Sequence, residues 1–264
     1  MNFTIGCSYG SIVVERSQGG LPVWKHAENQ YTGPAFVRRF GRKGEYTMMR
    51  HYINRLFWLV IGVMVSALGI TMMLRANVGL EPWSVLQQGM AQTVGITYGT
   101  ASVIVGAAAI GTAVLCGESF GFGTVVDIVL CAISVDGLLW LDWIPEMHSL
   151  PSGILMLLGG MELLALGTWM YMKSALGAGP RDALMVALAH KTGRSVGLCR
   201  ISAEVIVIII GFLLGGQVGI GTVISALGLG SLLNLNFHLL HFRAAELHQE
   251  NVAETVRKLG KRIA

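Results

Sequence analysis

Between Leu56 and Leu74 the chain runs nineteen residues without one ionisable side chain. At ~1.5 Å of rise per residue, a helix of that length crosses roughly 30 Å, the hydrocarbon thickness of a bilayer. Similar apolar stretches follow, and charged residues make up only 13% of the 264, against about 25% in a soluble domain. Such segments must satisfy their own backbone hydrogen bonds, so the expected fold is an all-α, polytopic membrane helix bundle. The formal net charge is +4. The basic residues lie in the first 55 positions, in short loops and at the C-terminal end, which fits anionic lipid headgroups as partners and not nucleic acid. Cys7, Cys116, Cys131 and Cys199 are far apart and suggest apolar filling in place of a zinc site or disulfide framework.

A repeat organises the chain. Aligned without a gap at an offset of 98, residues 55–136 and 153–234 share 19 identities in 82 positions, eight of them glycines. Gly62 matches Gly160, Gly79 matches Gly177, Pro82 matches Pro180, and Gly121-Phe-Gly123-Thr124-Val125 matches Gly219-Ile-Gly221-Thr222-Val223. Apolar composition alone does not align glycine and proline at loops, so the sequence indicates two tandem units of about 98 residues. The chain divides into a polar extension (1–50), a first membrane unit (51–141), a connecting loop (142–152), a second unit (153–241) and a basic tail (242–264) in which Val252, Val256, Leu259 and Ile263 form an apolar stripe. That tail is expected to lie on a membrane surface.

Each unit reads as four segments: 56–74, 82–93, 100–116 and 124–141, then 154–172, 180–190, 199–214 and 222–240. The second of each four opens at a proline, which suits the first turn of a helix. At about twelve residues it covers only ~18 Å, so it is a re-entrant half-helix, an interfacial helix or a crossing. If it does not cross, the chain has six spans and the two units are inverted. The Lys/Arg-free loop 142–152 then lies outside, while Lys173, Arg181, Lys191, Arg194 and the tail lie inside, as the positive-inside rule favours. Only Arg75 is misplaced. Six spans, two short Pro-initiated helices and cytoplasmic termini are therefore expected. The string Lys43-Gly44-Glu45 before Met48 and Met49, if encoded AAA-GGA-GAA, would be a ribosome-binding site, which places the expected start at Met48 or Met49.

The run Arg75-Ala-Asn-Val-Gly79-Leu-Glu-Pro82-Trp83-Ser-Val-Leu86, with Thr93-Val-Gly95-Ile-Thr-Tyr-Gly99 and Gly121-Phe-Gly123-Thr124, resembles the YczE-type bacterial membrane proteins, which are related to the YitT-type proteins. The resemblance covers about residues 52–240. The second unit departs from it with Arg181-Asp182 in place of Trp83-Ser84. It implies the bacterial inner membrane but neither a substrate nor catalytic residues.

Ionisable groups inside spans are costly and hence functional candidates. Asp127, Asp136, Glu162 and Glu204 qualify, with Asn234 as the polar counterpart of Asp136. Asp127 and Asp136 are nine residues apart and fall on opposite helix faces; the alternatives are that Asp127 caps the start of its own helix near the interface and that Asp136 lies near the opposite headgroups. Arg200, four residues before Glu204, offers it an ordinary i,i+4 partner. Glu162, nearly mid-span, is the stronger candidate for a proton- or cation-linked carboxylate. The loop backbones around Gly79, Pro82, Gly177, Pro180, Gly121, Gly123, Gly219 and Gly221 are a second candidate, since broken helices direct N–H groups at anionic ligands. Ala226 and Gly230 have the spacing that brings helices close. The sequence carries no catalytic triad, phosphate loop, metal cluster or cofactor motif, so an enzyme is not expected. The leading expectation is a small-molecule transporter or permease-like protein with a central polar site; the alternative is a membrane accessory or scaffold that acts through protein partners.

Overall fold

A computed structural model describes residues 52–177 and 179–242, together with the backbone of 12–16, 22–26 and 43–51. Eight helices follow one another: α1 (Lys43–Arg75), α2 (Pro82–Val94), α3 (Tyr98–Leu115), α4 (Phe122–Leu141), α5 (Leu150–Lys173), α6 (Pro180–Thr192), α7 (Val196–Leu213) and α8 (Ile220–Leu239). All but α2 and α6 contain a segment long and apolar enough to cross a membrane, that of α1 being Tyr52–Arg75. Ahead of them, β1 (Ile12–Arg16) and β2 (Pro22–His26) pair antiparallel. Five-residue strands are too short to announce themselves by period. The basic tail beyond Phe242 lies outside the described residues, as does most of the stretch before the expected start at Met48 or Met49.

Helix boundaries follow from caps. Thr97 Oγ1 accepts the Thr100 N–H, and the Ser195 side chain accepts that of Leu198, which starts α3 and α7 two or three residues before the apolar runs. Ser149 caps α5 in the same way, with a proline in the first turn, so the connecting loop shortens to 142–149. Gly95 and Gly193 end the two short helices in the left-handed region, at φ 74° and 66°, where glycine carries no Cβ penalty.

The central contact is between α1 and α5. A Cβ placed on Gly62 would stand 2.8 Å from the Gly167 carbonyl oxygen, and one on Gly69 would stand 2.5 Å from that of Gly160. Ascending along α1 means descending along α5, so the two helices run antiparallel with backbones touching at two levels. In lipid there is no hydrophobic force between helices, and close backbone approach supplies the attraction. Around this pair, α4 packs on α1, α8 on α5, α7 on α2 and α3 on α6. Gly89 and Gly211 bring α2 and α7 together, whereas Ala187 and Ala113 occupy the corresponding place between α6 and α3. Gly230, by contrast, meets nothing within 4 Å, which corrects its expected role in close packing.

Neither short helix crosses the bundle. Arg75, at the end of α1, reaches Asp142 (2.5 Å) and Glu146 (2.8 Å) just beyond α4, and the Gly99 N–H at the start of α3 donates to Asp136 near the same end of α4 (2.7 Å). Segment 76–97 therefore returns to the end it left. Segment 174–195 does the same at the opposite end: Arg55 donates to the Ser174 and Ala175 carbonyls (2.6 and 2.7 Å), and His190 meets Glu118 just after α3. Between these ends Trp83 packs among Val105, Met185 and Val207, all in helix interiors. Each segment is thus a re-entrant half-helix and not an interfacial one. The Arg75 ion pairs also give the one cation at odds with the charge rule two carboxylate partners.

Alanine at Gly69 or Gly167 should destabilise the protein by about 1–3 kcal/mol through overpacking, while Gly230→Ala should stay within about 0.5 kcal/mol of wild type. Denaturant titration of the purified variants in micelles separates the two outcomes.

Candidate functional site

Two connections, 76–81 and 174–179, lead into α2 and α6. Their tight turns rest on glycine: Gly79 (φ 111°) lies against Gly219 and Thr222 Oγ1, and Gly177 (φ 142°) against Gly121 and Thr124 Oγ1. The Gly221 N–H donates to the Val78 carbonyl and the Gly123 N–H to the Leu176 carbonyl, both at 2.8 Å. These six glycines thus hold the connections onto the first turns of α8 and α4. None of the six lines the cavity that α2 and α6 open onto.

Past these turns, α2 and α6 open toward each other. Pro82, Trp83, Pro180 and Arg181 line one cavity of about 160 Å³, to which all eight helices contribute. Glu81, the N-cap residue of α2, is buried, with its side chain only 3% exposed, and accepts from Arg181 Nη1 at 2.5 Å. The same guanidinium lies 5.6 Å from the Trp83 ring centroid, within cation–π range. Ser84 Oγ donates to Glu81 Oε1 (3.1 Å), and the Tyr98 hydroxyl lies within donating distance of Ser84 Oγ (2.8 Å) and Gln87 Oε1 (2.6 Å). A hydrogen-bonded chain therefore runs from the start of α3 through α2 to α6.

A second ion pair lines the same cavity from α7: Arg200 Nε donates to Glu204 Oε1 at 2.8 Å. The expected i,i+4 partnership of Glu204 is present. Two more carboxylates complete the lining. Asp182 is hydrogen-bonded by the Tyr171 hydroxyl. Asp127 lines the cavity from α4 with no hydrogen bond or ion pair among the described residues. Ser66 Oγ, on a residue 5% exposed, also has no hydrogen-bond partner.

The other sequence candidates lie elsewhere. Glu162 is half-buried between α5 and α8 and accepts from Asn236 Nδ2 at 3.0 Å; it does not line the cavity. Asp136 serves as acceptor for the Gly99 N–H at the first turn of α3. Asn234 faces outward from α8, so the offset pairing of Asp136 with Asn234 does not build a common polar centre. Pro82, Pro180, Asp127 and Glu204 are the candidates that the fold brings together, and Glu81, Gln87, Arg181 and Asp182, with Tyr98 bonded to Gln87, are the residues of this region not among the sequence candidates. A signal for them existed. Most lining positions fall in pairs 98 apart, and at several a charge stands opposite a small or aromatic residue: Glu81 with Gly179, Arg181 with Trp83, Arg200 with Ser102, Glu204 with Gly106, Asp127 with Ser225.

A model of a family of unknown function, DUF6198, matches residues 53–237. The chain belongs to that family. It is 31% identical over 182 residues to an "Uncharacterized protein" of Haemophilus influenzae, covering 69% of this chain and 83% of the relative. It is also 27% identical over 191 residues to the "Uncharacterized membrane protein YczE" of Bacillus subtilis, covering 72% and 88%. A third relative, the "Uncharacterized protein YyaS" of the same organism, is 24% identical over 179 residues, covering 66% and 88%. No solved structure matches significantly. The matched span contains all six membrane-length helices nearly entire and every charged residue of the cavity, so this DUF6198 protein carries its candidate site inside the family region.

Removing one partner of a buried ion pair strands the other charge, which costs about 3–5 kcal/mol. Glu81→Gln and Arg181→Met should each destabilise the protein toward the lower end of that range, since Arg181 keeps 29% side-chain exposure. The double variant should recover at least half of the loss. A double-mutant cycle by denaturant titration reads the coupling, and strictly additive losses would contradict it.

Proposed function

We propose that this protein is a small-molecule transporter or permease-like protein of the bacterial inner membrane, with its substrate site in the cavity between the N-termini of α2 and α6. The observation that carries this reading is the composition of that cavity: four carboxylates and two guanidiniums gathered inside an apolar bundle. Holding such groups away from water costs several kcal/mol each even when they are paired. A well-packed apolar centre would be as stable or more so, hence a polar centre with free volume suits a ligand better than a scaffold. The volume is below the ~300 Å³ of sites for drug-sized molecules, so the substrate is small. On this reading the chain binds and passes a molecule without transforming it.

The arrangement of the helices supports an inverted duplication. Contacts come in pairs offset by 98, such as Gly62 with Gly167 and Gly160 with Gly69, and α1 and α5 run in opposite senses. Broken helices meeting at the middle of inverted repeats is the plan on which many secondary transporters build their substrate sites. By the charge rule, the loop 142–149 lies outside and the termini lie in the cytoplasm.

A thermal-shift screen of purified protein against small metabolites and ions tests the proposal. A true ligand should stabilise wild type and Asn234→Ala alike and lose its effect in Ser102→Phe, which fills the cavity from α3. Uptake of that ligand into proteoliposomes should follow the same order. A hit indifferent to Ser102→Phe would place binding elsewhere and remove the support for transport. For topology, single cysteines introduced in a cysteine-free background at Glu146 and Arg194 are expected to react with an impermeant maleimide from outside only at 146; the reverse pattern would overturn the orientation.

A further inference from the structure

The cavity lies off the centre of the repeat. Most of its lining comes in pairs 98 apart, from Ser66 with Leu164 to Cys131 with Leu229. The lining residues without such a partner are Val105, at the middle of α3, and Ala109, Tyr171, Asp182 and Leu233, all on the side from which α6 re-enters. Toward the other end, the equivalents of Tyr171 and Leu233 are Met73 and Val135, each 1% exposed and packed in the core. The helix contacts show the same bias. At the α2 end, α3 packs on α4: a Cβ on Gly99 would stand 2.5 Å from the Ala132 carbonyl oxygen, and the Gly99 N–H donates to Asp136. At the α6 end, α7 has no such packing on α8 among the described residues. Gly197, the equivalent of Gly99, meets nothing within 4 Å, and Asn234, the equivalent of Asp136, is exposed. Tyr98, buried and bonded to Ser84 and Gln87, has as its counterpart the half-buried Val196.

We propose that the first turns of α3 and α7 are the two gates of this cavity, closed in this structure at the α2 end and open toward the α6 end, the cytoplasmic end by the charge rule. In the opposite state the Gly99 contact with α4 is broken and Gly197 docks on α8, where its N–H meets the Asn234 side-chain oxygen. The proposal rests on the cavity being the substrate site and adds how that site is reached. Inverted repeats give access from alternate sides when one half moves against the other around a fixed site. Each half here holds what the docked conformation needs. A glycine lets the backbones touch, and the facing helix offers an acceptor to a first-turn N–H that has no partner in its own helix. Packing in the described state accounts for Gly99 and Asp136. It does not account for Gly197, which stands in open space and only weakens α7, nor for an exposed amide within the span of α8.

The test uses two reporters in a cysteine-free background, Leu233→Cys at the open end and Met73→Cys at the closed one. Each is labelled with a small charged methanethiosulfonate in the full-length protein in micelles. Leu233→Cys should react about tenfold faster or more, since Met73→Cys is reached only when the bundle opens. Asp136→Ala removes the acceptor of the Gly99 N–H and should raise the rate at 73 by about tenfold or more, as expected for a charge-assisted hydrogen bond. Gly197→Leu has room in the described state and none in the opposite one. It should leave the rate at 233 unchanged and, combined with Asp136→Ala, return the rate at 73 to that of the parent or below. Residues 136 and 197 lie at opposite ends of the bundle, so local fraying of α3 would not show this suppression. If Asp136→Ala does not fold, Gly99→Ala takes its place, its methyl group displacing α3 from the Ala132 carbonyl. Reaction at 73 as fast as at 233 in the parent, no rise with Asp136→Ala, or a rise indifferent to Gly197→Leu would each overturn the gates. No ligand enters the measurement, so its failure leaves the substrate cavity standing, whereas a ligand screen without a hit removes the substrate and not the coupled opening.

Discussion

Two helix N-termini converge inside this bundle, and that meeting sets the chemistry of its centre. Each end presents unsatisfied N–H groups and a partial positive charge, which water would normally screen. Here the solvent is protein and lipid, so carboxylates must do it. Glu81 stands at the N-cap of α2, and Asp182 lies in the first turn of α6. Both sit where the helix dipole favours an anion. Arg181 then joins the two starts by reaching from α6 to Glu81. The anion-binding capacity that a broken helix offers is thus filled largely from within the chain.

The position of those helix starts depends on the scaffold behind them. A re-entrant segment is tolerated at membrane depth only if its open backbone is covered. The connections before α2 and α6 are covered in the same way, by hydrogen bonds from Gly221 to Val78 and from Gly123 to Leu176. A methyl group on Gly219 would stand 2.4 Å from the Val78 carbonyl oxygen, and one on Gly177 would stand 2.7 Å from the Gly121 Cα. The repeated glycines are therefore a steric condition for placing the half-helices. The α1–α5 contact fixes the distance between the two halves by the same means, backbone against backbone.

The architecture was legible because it rests on such features. Apolar runs of membrane length, prolines at 82 and 180 and glycines in register at an offset of 98 gave six spans, two short helices and most boundaries within a few residues. Caps at Thr97, Ser149 and Ser195 explain the remaining shifts. The site was less legible. Weighting carboxylates by depth within their own spans favoured Glu162 and Asp136, and both turned out to have local partners, Asn236 and the Gly99 N–H. Glu81 and Arg181 were passed over because they flank a short segment that could have lain at the surface. Their importance arises from the re-entrant path, which carries loop positions into the middle of the bundle.

Divergence between the halves points to what that centre demands. The lining positions are paired by the offset, yet their chemistry is not: arginine faces tryptophan at 181 and 83, glutamate faces glycine at 204 and 106, and aspartate faces serine at 127 and 225. The bonds that hold the two connections kept their symmetry, both at 2.8 Å. Packing at an axis between two halves constrains both members of a pair alike. A ligand smaller than the cavity touches the members unequally, so one can remain small while the other acquires charge.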